Sequence, residues 1–194
     1  MNFQLKSRVI FFATNNVNKF KEACRVFREY KIAVGMLRIK TLEIQSESLE
    51  EIAKKSVMES FKKCSLPVIV EDAGLFIEAL NGFPGPYAAY VYKTIGNNGL
   101  LKLMEKSESR EAKFQSVIAY YSSELKSPIC FKGEAIGEIT KEERKKEPEY
   151  GFGFDPIFKP KNSTKTFAEM TIIEKNKHSH RAKALRNFAK WYKS

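Results

Sequence analysis

The stretch VEDAGLFIEALNGFPGPYAAY, residues 70–90, passes from the end of an apolar segment into a loop rich in glycine and proline. The preceding residues, 66–70, are apolar and partly β-branched, which predicts a buried strand that starts at Pro67. Two carboxylates, Glu71 and Asp72, follow where this strand is expected to stop. Adjacent residues of a strand face opposite sides, so we expect only one of the two to face a given pocket. Locally, the pair fits a solvated strand end and a chemical centre equally well.

The elements on either side of this stretch predict an α/β fold with a mixed sheet. Residues 8–14 are typical of a buried strand, and Asn16 is placed to cap a helix over residues 17–29. Ser48 and Glu51 form the capping-box pattern of a second helix over residues 49–63. Further expected elements are an extended segment over residues 32–44, helical segments over 88–92 and 99–104, strands over 114–122 and 129–139, and one helix within 174–192.

Length and composition restrict the class of protein. With 194 residues, we expect a single domain over residues 1–194. The three cysteines are scattered and form no CxxC pair, which favours a reducing, cytoplasmic location. The net charge of +11 favours an anionic partner, but the basic residues are spread along the chain. A small polyphosphate and a nucleic acid both fit this charge, which alone does not choose between them, but no Lys/Arg stripe with interleaved aromatics indicates a stable nucleic-acid complex. The apolar runs are too short to cross a bilayer, so we expect no membrane association.

Three further stretches carry polar groups in unusual arrangements. TNNVNKFKE, residues 14–22, joins a strand to a helix N-terminus, which favours either an anion site or an ordinary helix cap. GFGFDP, residues 151–156, lets the backbone approach a ligand and offers two aromatic rings, or it is a tight turn with core phenylalanines. AEMTIIEKNKHSHRAKAL, residues 168–185, places basic groups near a helix start, where they either bind an anion or are solvated.

The acidic residues suggest a metal site. Mg²⁺ prefers oxygen ligands, often one or two carboxylates completed by substrate phosphate oxygens and water. The candidate acids are Glu43 and the pair Glu71 and Asp72, and a carboxylate at a strand end can also orient or deprotonate water. The alternative is that these acids are simply solvated.

Taken together and in this order, the four stretches resemble the inosine/xanthosine triphosphate pyrophosphatase family, the Ham1-like house-cleaning nucleotidases. The family pattern combines T-x-N-x-x-K-x-x-E, E-D-[ST]-G-L, A-L-x-G-x-P-G-x-Y, G-F-G-[YFW]-D-P and A-E-M…E-K-N…S-H-R…A-L. The match extends from Thr14 to Leu185. The resemblance implies an elongated mixed sheet flanked by helices, with two lobes around a central nucleotide-binding cleft, and a homodimer.

The resemblance also implies Mg²⁺-dependent hydrolysis of ITP, dITP and XTP between the α- and β-phosphates, which removes deaminated purines from the nucleotide pool. Asp72 would be the catalytic acid and a metal ligand, with Glu43 as the second ligand. Residues 14–19 would cradle the triphosphate, with Lys55 and Lys175 adding positive charge. Phe152 would stack on the purine, and Asp155, His180 and Arg181 would read its edge. The residues that the resemblance assigns to substrate binding are Thr14, Asn15, Asn16, Val17, Asn18, Lys19, Lys55, Ala73, Phe152, Gly153, Phe154, Asp155, Lys175, His180 and Arg181.

The chain departs from the family pattern at three places. Ala73 stands where the family has Ser or Thr, and Asn15 replaces a common glycine. Residues 88–92 read AAYVY, where many relatives have Ser-Ala-Arg. Two other functions remain open at this point: a basic nucleic-acid-binding domain, in which Asp72 has no role, and a nucleotidase of the Maf type that prefers pyrimidine or modified nucleotides.

Overall fold

The computed structural model describes residues 9–41, 44–145 and 151–194. Its centre is a seven-stranded mixed sheet with the strand order β2-β1-β3-β5-β6-β7, and β4 pairs with the far end of β3. β1 pairs in parallel with β2 and β3, and the remaining pairs are antiparallel. The strands are Val9–Ala13, Ala33–Leu37, Val68–Ile77, Pro84–Gly85, Glu111–Tyr121, Ile129–Ile139 and Phe158–Pro160, numbered β1 to β7.

Helices cover both faces of this sheet and confirm the predicted α/β fold. They are Val17–Glu29, Leu49–Cys64, Ala88–Thr94, Gly96–Leu103, Ile172–His178 and His180–Lys193, numbered α1 to α6. Asn16 and Ser48 cap α1 and α2 through their side chains, as the sequence predicts. No helix in the described ranges is long and apolar enough to span a bilayer.

Two expectations about element boundaries were wrong. The strand predicted to stop at Val70 continues through Glu71 and Asp72 to Ile77, because residues 68–77 pair with β5 along their whole length. The single helix expected within residues 174–192 is divided into α5 and α6 at Ser179. Ser179 has an extended backbone, and its hydroxyl accepts the Ala182 N–H, so it caps α6.

The core is divided by the sheet, and this division decides where the two acids point. On one face, Ile69 belongs to an apolar cluster with residues of α1 and α6, such as Phe27 and Phe188. On the other face, Val68 and Val70 pack in a cluster with α2. Since side chains alternate along a strand, Glu71 lies on the α1/α6 face and Asp72 on the α2 face.

A glycine on β6 sets the position of α6. A Cβ atom built at Gly133 would overlap the carbonyl oxygen of His180 and the backbone nitrogen of Ala184. The helix backbone therefore lies directly on the strand at this point, which only glycine permits. This close approach fixes the start of α6, where His180 and Arg181 are located.

Candidate active site

A cleft of about 860 Å³ lies where the carboxyl ends of β1 and β2 meet the middle of β3. The loop and first turn of α1 form one wall, and α2 contributes Ile52, Ala53 and Ser56. Glu71 and Asp72 enter the cleft from β3, and α3 adds Ala89 and Lys93. Of the predicted site residues, the cleft brings together Thr14, Asn15, Asn16, Val17, Lys19 and Asp72.

The loop between β1 and α1 is held in shape by its own side chains. The Thr14 hydroxyl accepts the Asn16 N–H at 3.1 Å, and Asn16 Oδ1 accepts the N–H groups of Asn18 and Lys19 at 3.0 and 3.1 Å. Asn16 is therefore a helix cap, as the local reading of the sequence predicts. The cap directs Lys19, in the first turn of α1, toward β3.

Glu71 is fully buried and binds three donors. Its Oε1 accepts from the Ser116 hydroxyl at 2.7 Å and from Arg181 Nε at 3.0 Å, and its Oε2 forms an ion pair with the Lys19 ammonium at 2.7 Å. Burial alone would raise the pKa of Glu71, but attraction to Arg181 and Lys19 outweighs it and holds that pKa well below its usual range. Glu71 is thus an ionised structural link between α1, β5 and α6.

Glu71 is one end of a longer buried array of alternating charges, which joins Glu22, Asp155 and Lys175 to Arg181. Arg181 NH1 donates to Glu22 Oε2 at 2.6 Å, and the other Glu22 oxygen accepts from Lys175 Nζ at 2.7 Å. Lys175 also donates to Asp155 Oδ2 at 2.6 Å. The array connects α1 of the first motif and Glu71 of the second to the GFGFDP segment through the last motif, so all four motifs meet in one network.

The protonation of this network follows from its geometry. Burial disfavours the charge on Lys175, but attraction to Asp155 and Glu22 raises the pKa of Lys175 above its usual value. Burial also raises the pKa of Asp155, attraction to Lys175 opposes the rise, and repulsion from Glu22 adds to it. Burial, followed by repulsion from Arg181, lowers the pKa of His180 well below its usual range, so this imidazole is neutral at pH 7.

Aromatic rings cover the basic end of the network. The Phe152 ring lies 4.8 Å from Lys175 Nζ and 5.4 Å from the Arg181 guanidinium carbon. Its backbone N–H donates to Asp155 Oδ2 at 2.7 Å, so Asp155 also holds the turn. His180 stacks on Phe114 at 4.6 Å between ring centroids, and its buried Nδ1 makes no hydrogen bond within the described residues. This end of the site is therefore apolar on its ring faces and basic beneath them.

The remaining predicted site residues lie elsewhere. Lys55 is exposed on α2 and does not line the cleft, although its neighbours Ala53 and Ser56 do. Phe154 is buried in the core, with its ring edge-to-face with Tyr92 at 5.5 Å. Ala73 pairs with Ser116 on the Glu71 side of β3. Gly153 adopts φ +62°, which suits the turn that carries Phe152, and Asn18 contributes its backbone N–H to the α1 cap.

Sequence reasoning missed three residues of the site. Glu22 joins the charge network, and Lys40 and Lys93 line the cleft. Glu22 gives a signal in the sequence, because it lies one helical turn before Val26 on the buried face of α1 and an acid is unusual there. The two lysines give none, because exposed lysines occur throughout the chain.

The metal prediction rests on Asp72 and Glu43. Glu43 lies outside the described residues, and within them no group of three or more His, Cys, Asp or Glu side chains is close enough to hold a metal ion. Two described carboxylates line the cleft, Glu71 and Asp72. Glu71 is held by Ser116, Arg181 and Lys19, and Asp72 is the one of the two that the motif assigns to the metal.

Comparison with known proteins identifies the family. A model of the family described as the Ham1 family matches residues 10–191. The chain therefore belongs to the Ham1 family. A dITP/XTP pyrophosphatase of Methanopyrus kandleri is 50% identical over 95% of this chain and 96% of that protein. A dITP/XTP pyrophosphatase of Thermococcus kodakarensis is 47% identical over 94% of this chain and 96% of that protein.

Solved structures of Ham1 proteins share the fold of this family member. The Staphylococcus aureus Ham1 protein is 28% identical, with a TM-score of 0.80 over 96% of this chain and 98% of that one. A Ham1 protein from Coxiella burnetii is also 28% identical, with a TM-score of 0.82 over the same shares. The resemblance read from the four sequence motifs is thereby confirmed.

Proposed function

We propose that this Ham1-family protein is a nucleoside triphosphate pyrophosphatase for nonstandard purine nucleotides: ITP, dITP and XTP. It hydrolyses the bond between the α- and β-phosphates and releases the monophosphate and pyrophosphate. The observation that carries the proposal is the position of Asp72, an acid in a cleft of about 860 Å³ whose wall is continuous with a buried basic network beneath Phe152. Relatives that are 50% and 47% identical are named dITP/XTP pyrophosphatases.

The phosphate end of the proposed site is the cleft itself. Residues 14–19 offer a hydroxyl, amides and the Lys19 ammonium from the start of a helix, where the dipole favours anions. Asp72 orients the attacking water and accepts its proton as the bond to phosphorus forms. Such reactions depend on positioning and charge neutralisation more than on covalent help from the protein.

The donor set of the cleft fits Mg²⁺. One carboxylate, with phosphate oxygens and water completing the shell, is a common arrangement for this ion, and Asp72 provides that carboxylate. Asp72 would hold the ion, and Glu43 is the second proposed ligand. When bound, Mg²⁺ neutralises phosphate charge and polarises the phosphoryl oxygens.

The base end of the proposed site is the surface of Phe152 and the groups near it. Phe152 would stack on the purine, and the backbone at Gly153 and Phe154 shapes the turn that presents it. Hypoxanthine and xanthine carry a 6-keto acceptor, which N–H donors of His180 or Arg181 would satisfy. Adenine has an amino group there, which would leave a buried donor unpaired at a cost of about 1–3 kcal/mol.

The test is pyrophosphate release from ITP, dITP, XTP, ATP, GTP and pyrimidine triphosphates with Mg²⁺. We expect rapid release from the first three, and its loss in Asp72→Asn with the fold retained by circular dichroism. Equal rates with ATP and ITP would contradict the selectivity, and a preference for pyrimidines would favour a Maf-type activity. Retention of nucleic-acid binding in Asp72→Asn, with no turnover by the wild type, would favour a nucleic-acid-binding domain.

The proposal extends to the assembly and the location of the protein. We propose a single domain that forms a homodimer in the cytoplasm, as the resemblance implies. Light scattering that gives one chain mass at micromolar concentration would contradict the dimer.

A further inference from the structure

The cleft contains three lysines on three different elements, and they differ in how their charge is balanced. Lys19 comes from α1, Lys40 from the segment after β2, and Lys93 from α3. The Lys19 ammonium lies 2.7 Å from the buried Glu71 carboxylate, which is ionised. Its charge is therefore largely neutralised before any ligand binds.

The other two lysines are not neutralised in this way. Within the described ranges, neither the Lys40 nor the Lys93 ammonium forms an ion pair with an acid. Both side chains are exposed at the cleft. Among the described residues, they are thus the cleft cations that are not paired with an acid.

Backbone contacts fix the positions from which these two side chains extend. The carbonyl oxygen of Lys40 accepts from the Lys63 ammonium of α2 at 2.6 Å, which ties its segment to that helix. Lys93 lies four residues after Ala89, and both line the cleft because residues at this spacing share one helix face. α3 packs against β3 and β4, so Lys93 enters from the β3 side and Lys40 from the β2 side of the cleft.

The two cations also lie outside the network that leads to the proposed base site. That network runs from Lys19 through Glu71 and Arg181 toward Asp155 and Phe152. A nucleotide whose base lies at Phe152 and whose scissile bond lies at Asp72 has its terminal phosphates beyond Asp72, in the cleft that Lys40 and Lys93 also line.

We propose that Lys40 and Lys93 together bind the β- and γ-phosphates, the part of the substrate that leaves as pyrophosphate. This inference rests on the proposed function and adds two substrate-binding residues that the sequence motifs do not contain. As the bond to the α-phosphorus breaks, the leaving pyrophosphate gains negative charge, and two uncompensated ammonium groups stabilise it.

The test measures binding of inorganic tripolyphosphate to the full chain by calorimetry, without nucleotide and without turnover. Lys93→Met and Lys40→Met remove one charge each while keeping a long side chain. We expect each to weaken tripolyphosphate binding by roughly tenfold at low salt, with a smaller effect at high salt because exposed charges are screened. Lys62→Met is the matched control, since Lys62 is an exposed lysine of α2 that does not line the cleft.

Two further readouts distinguish binding of the β- and γ-phosphates from a general effect on nucleotide binding. Inhibition of turnover by IMP, which lacks the β- and γ-phosphates, is expected to be unchanged in Lys93→Met, and Lys93→Arg is expected to restore tripolyphosphate binding. Tripolyphosphate binding within twofold of wild type in both Met variants would overturn the inference, as would an equal loss of IMP inhibition. If the wild type releases no pyrophosphate from any nucleotide while the charge variants still lose tripolyphosphate binding, the proposed function fails and the anion site stands.

Discussion

Replacing Glu71 with Gln tests the charge network most sharply, because the change keeps the shape of the side chain and removes only its charge. Glu71 Oε1 accepts from Arg181 and Ser116, and Oε2 faces Lys19. An amide has one oxygen and one NH₂ group, so either Lys19 or Arg181 must face a donor. Lys19 has a side chain that is 20% exposed and can turn to solvent, whereas Arg181 is buried.

The expected loss of unfolding free energy in Glu71→Gln follows from this geometry. Removing one partner of a buried ion pair costs about 3–5 kcal/mol. Because Lys19 can be rehydrated, we expect the lower end, about 3 kcal/mol of lost unfolding free energy at pH 7. The control is Glu29→Gln, since the ion pair of Glu29 with Arg186 at 2.9 Å is partly exposed and is expected to contribute below about 1 kcal/mol.

The pH dependence gives the deciding result. The pKa of Glu71 is lowered in the folded state, so its contribution is present above its unfolded pKa of about 4.3 and is lost as the pH falls through the folded pKa. Urea unfolding followed by circular dichroism is therefore expected to show a difference between wild type and Glu71→Gln that narrows below about pH 4. A difference below about 1 kcal/mol at pH 7, or one that stays constant from pH 7 to pH 3, would refute the reasoning.

Three other substitutions test neighbouring parts of the account. Gly133→Ala is expected to push the start of α6 off β6 and to lower the unfolding free energy by about 1–3 kcal/mol. It is also expected to raise KM for ITP, because His180 moves with the start of α6. An unchanged melting temperature would contradict the close approach of the two backbones. Lys175→Met leaves Asp155 and Glu22 without their shared cation. We therefore expect the unfolding free energy, measured in urea, to fall by about 3–5 kcal/mol, and this difference from wild type to shrink in acid. A loss below about 1 kcal/mol would argue against the network. Asn16→Ala removes the α1 cap and is expected to cost about 1 kcal/mol, whereas Asn16→Asp is expected to retain the cap, and equal losses would contradict the capping role.

Local signals predicted much of the fold. The Asn16 and Ser48 caps placed α1 and α2, because a cap side chain and an apolar helical face are readable within one turn of chain. The end of β3 was misplaced because acids after an apolar run are typical of a strand end. Pairing of residues 68–77 with β5 depends on a partner more than thirty residues away, which no local pattern reveals.

The sequence predicted the residues of the candidate site only where they belong to one of the four motifs. The motifs pointed to Lys175 and Arg181, but the sequence did not show that both are buried against Glu22, since that contact joins residues more than 150 positions apart. Glu71 was not among the predicted site residues, and it is the carboxylate between Lys19 and Arg181. Side-chain alternation put the two acids on opposite faces of β3, yet both residues line the cleft, against the expectation that only one would face a given pocket.

The central claim is that the chain splits nonstandard purine triphosphates between the α- and β-phosphates. The most direct measurement is phosphorus NMR of one sample that contains equal amounts of dITP and dATP with Mg²⁺ and the enzyme. We expect signals of dIMP and pyrophosphate while dATP persists, and no reaction with Asp72→Asn. The appearance of dIDP with orthophosphate, or consumption of dATP at the same rate as dITP, would contradict it.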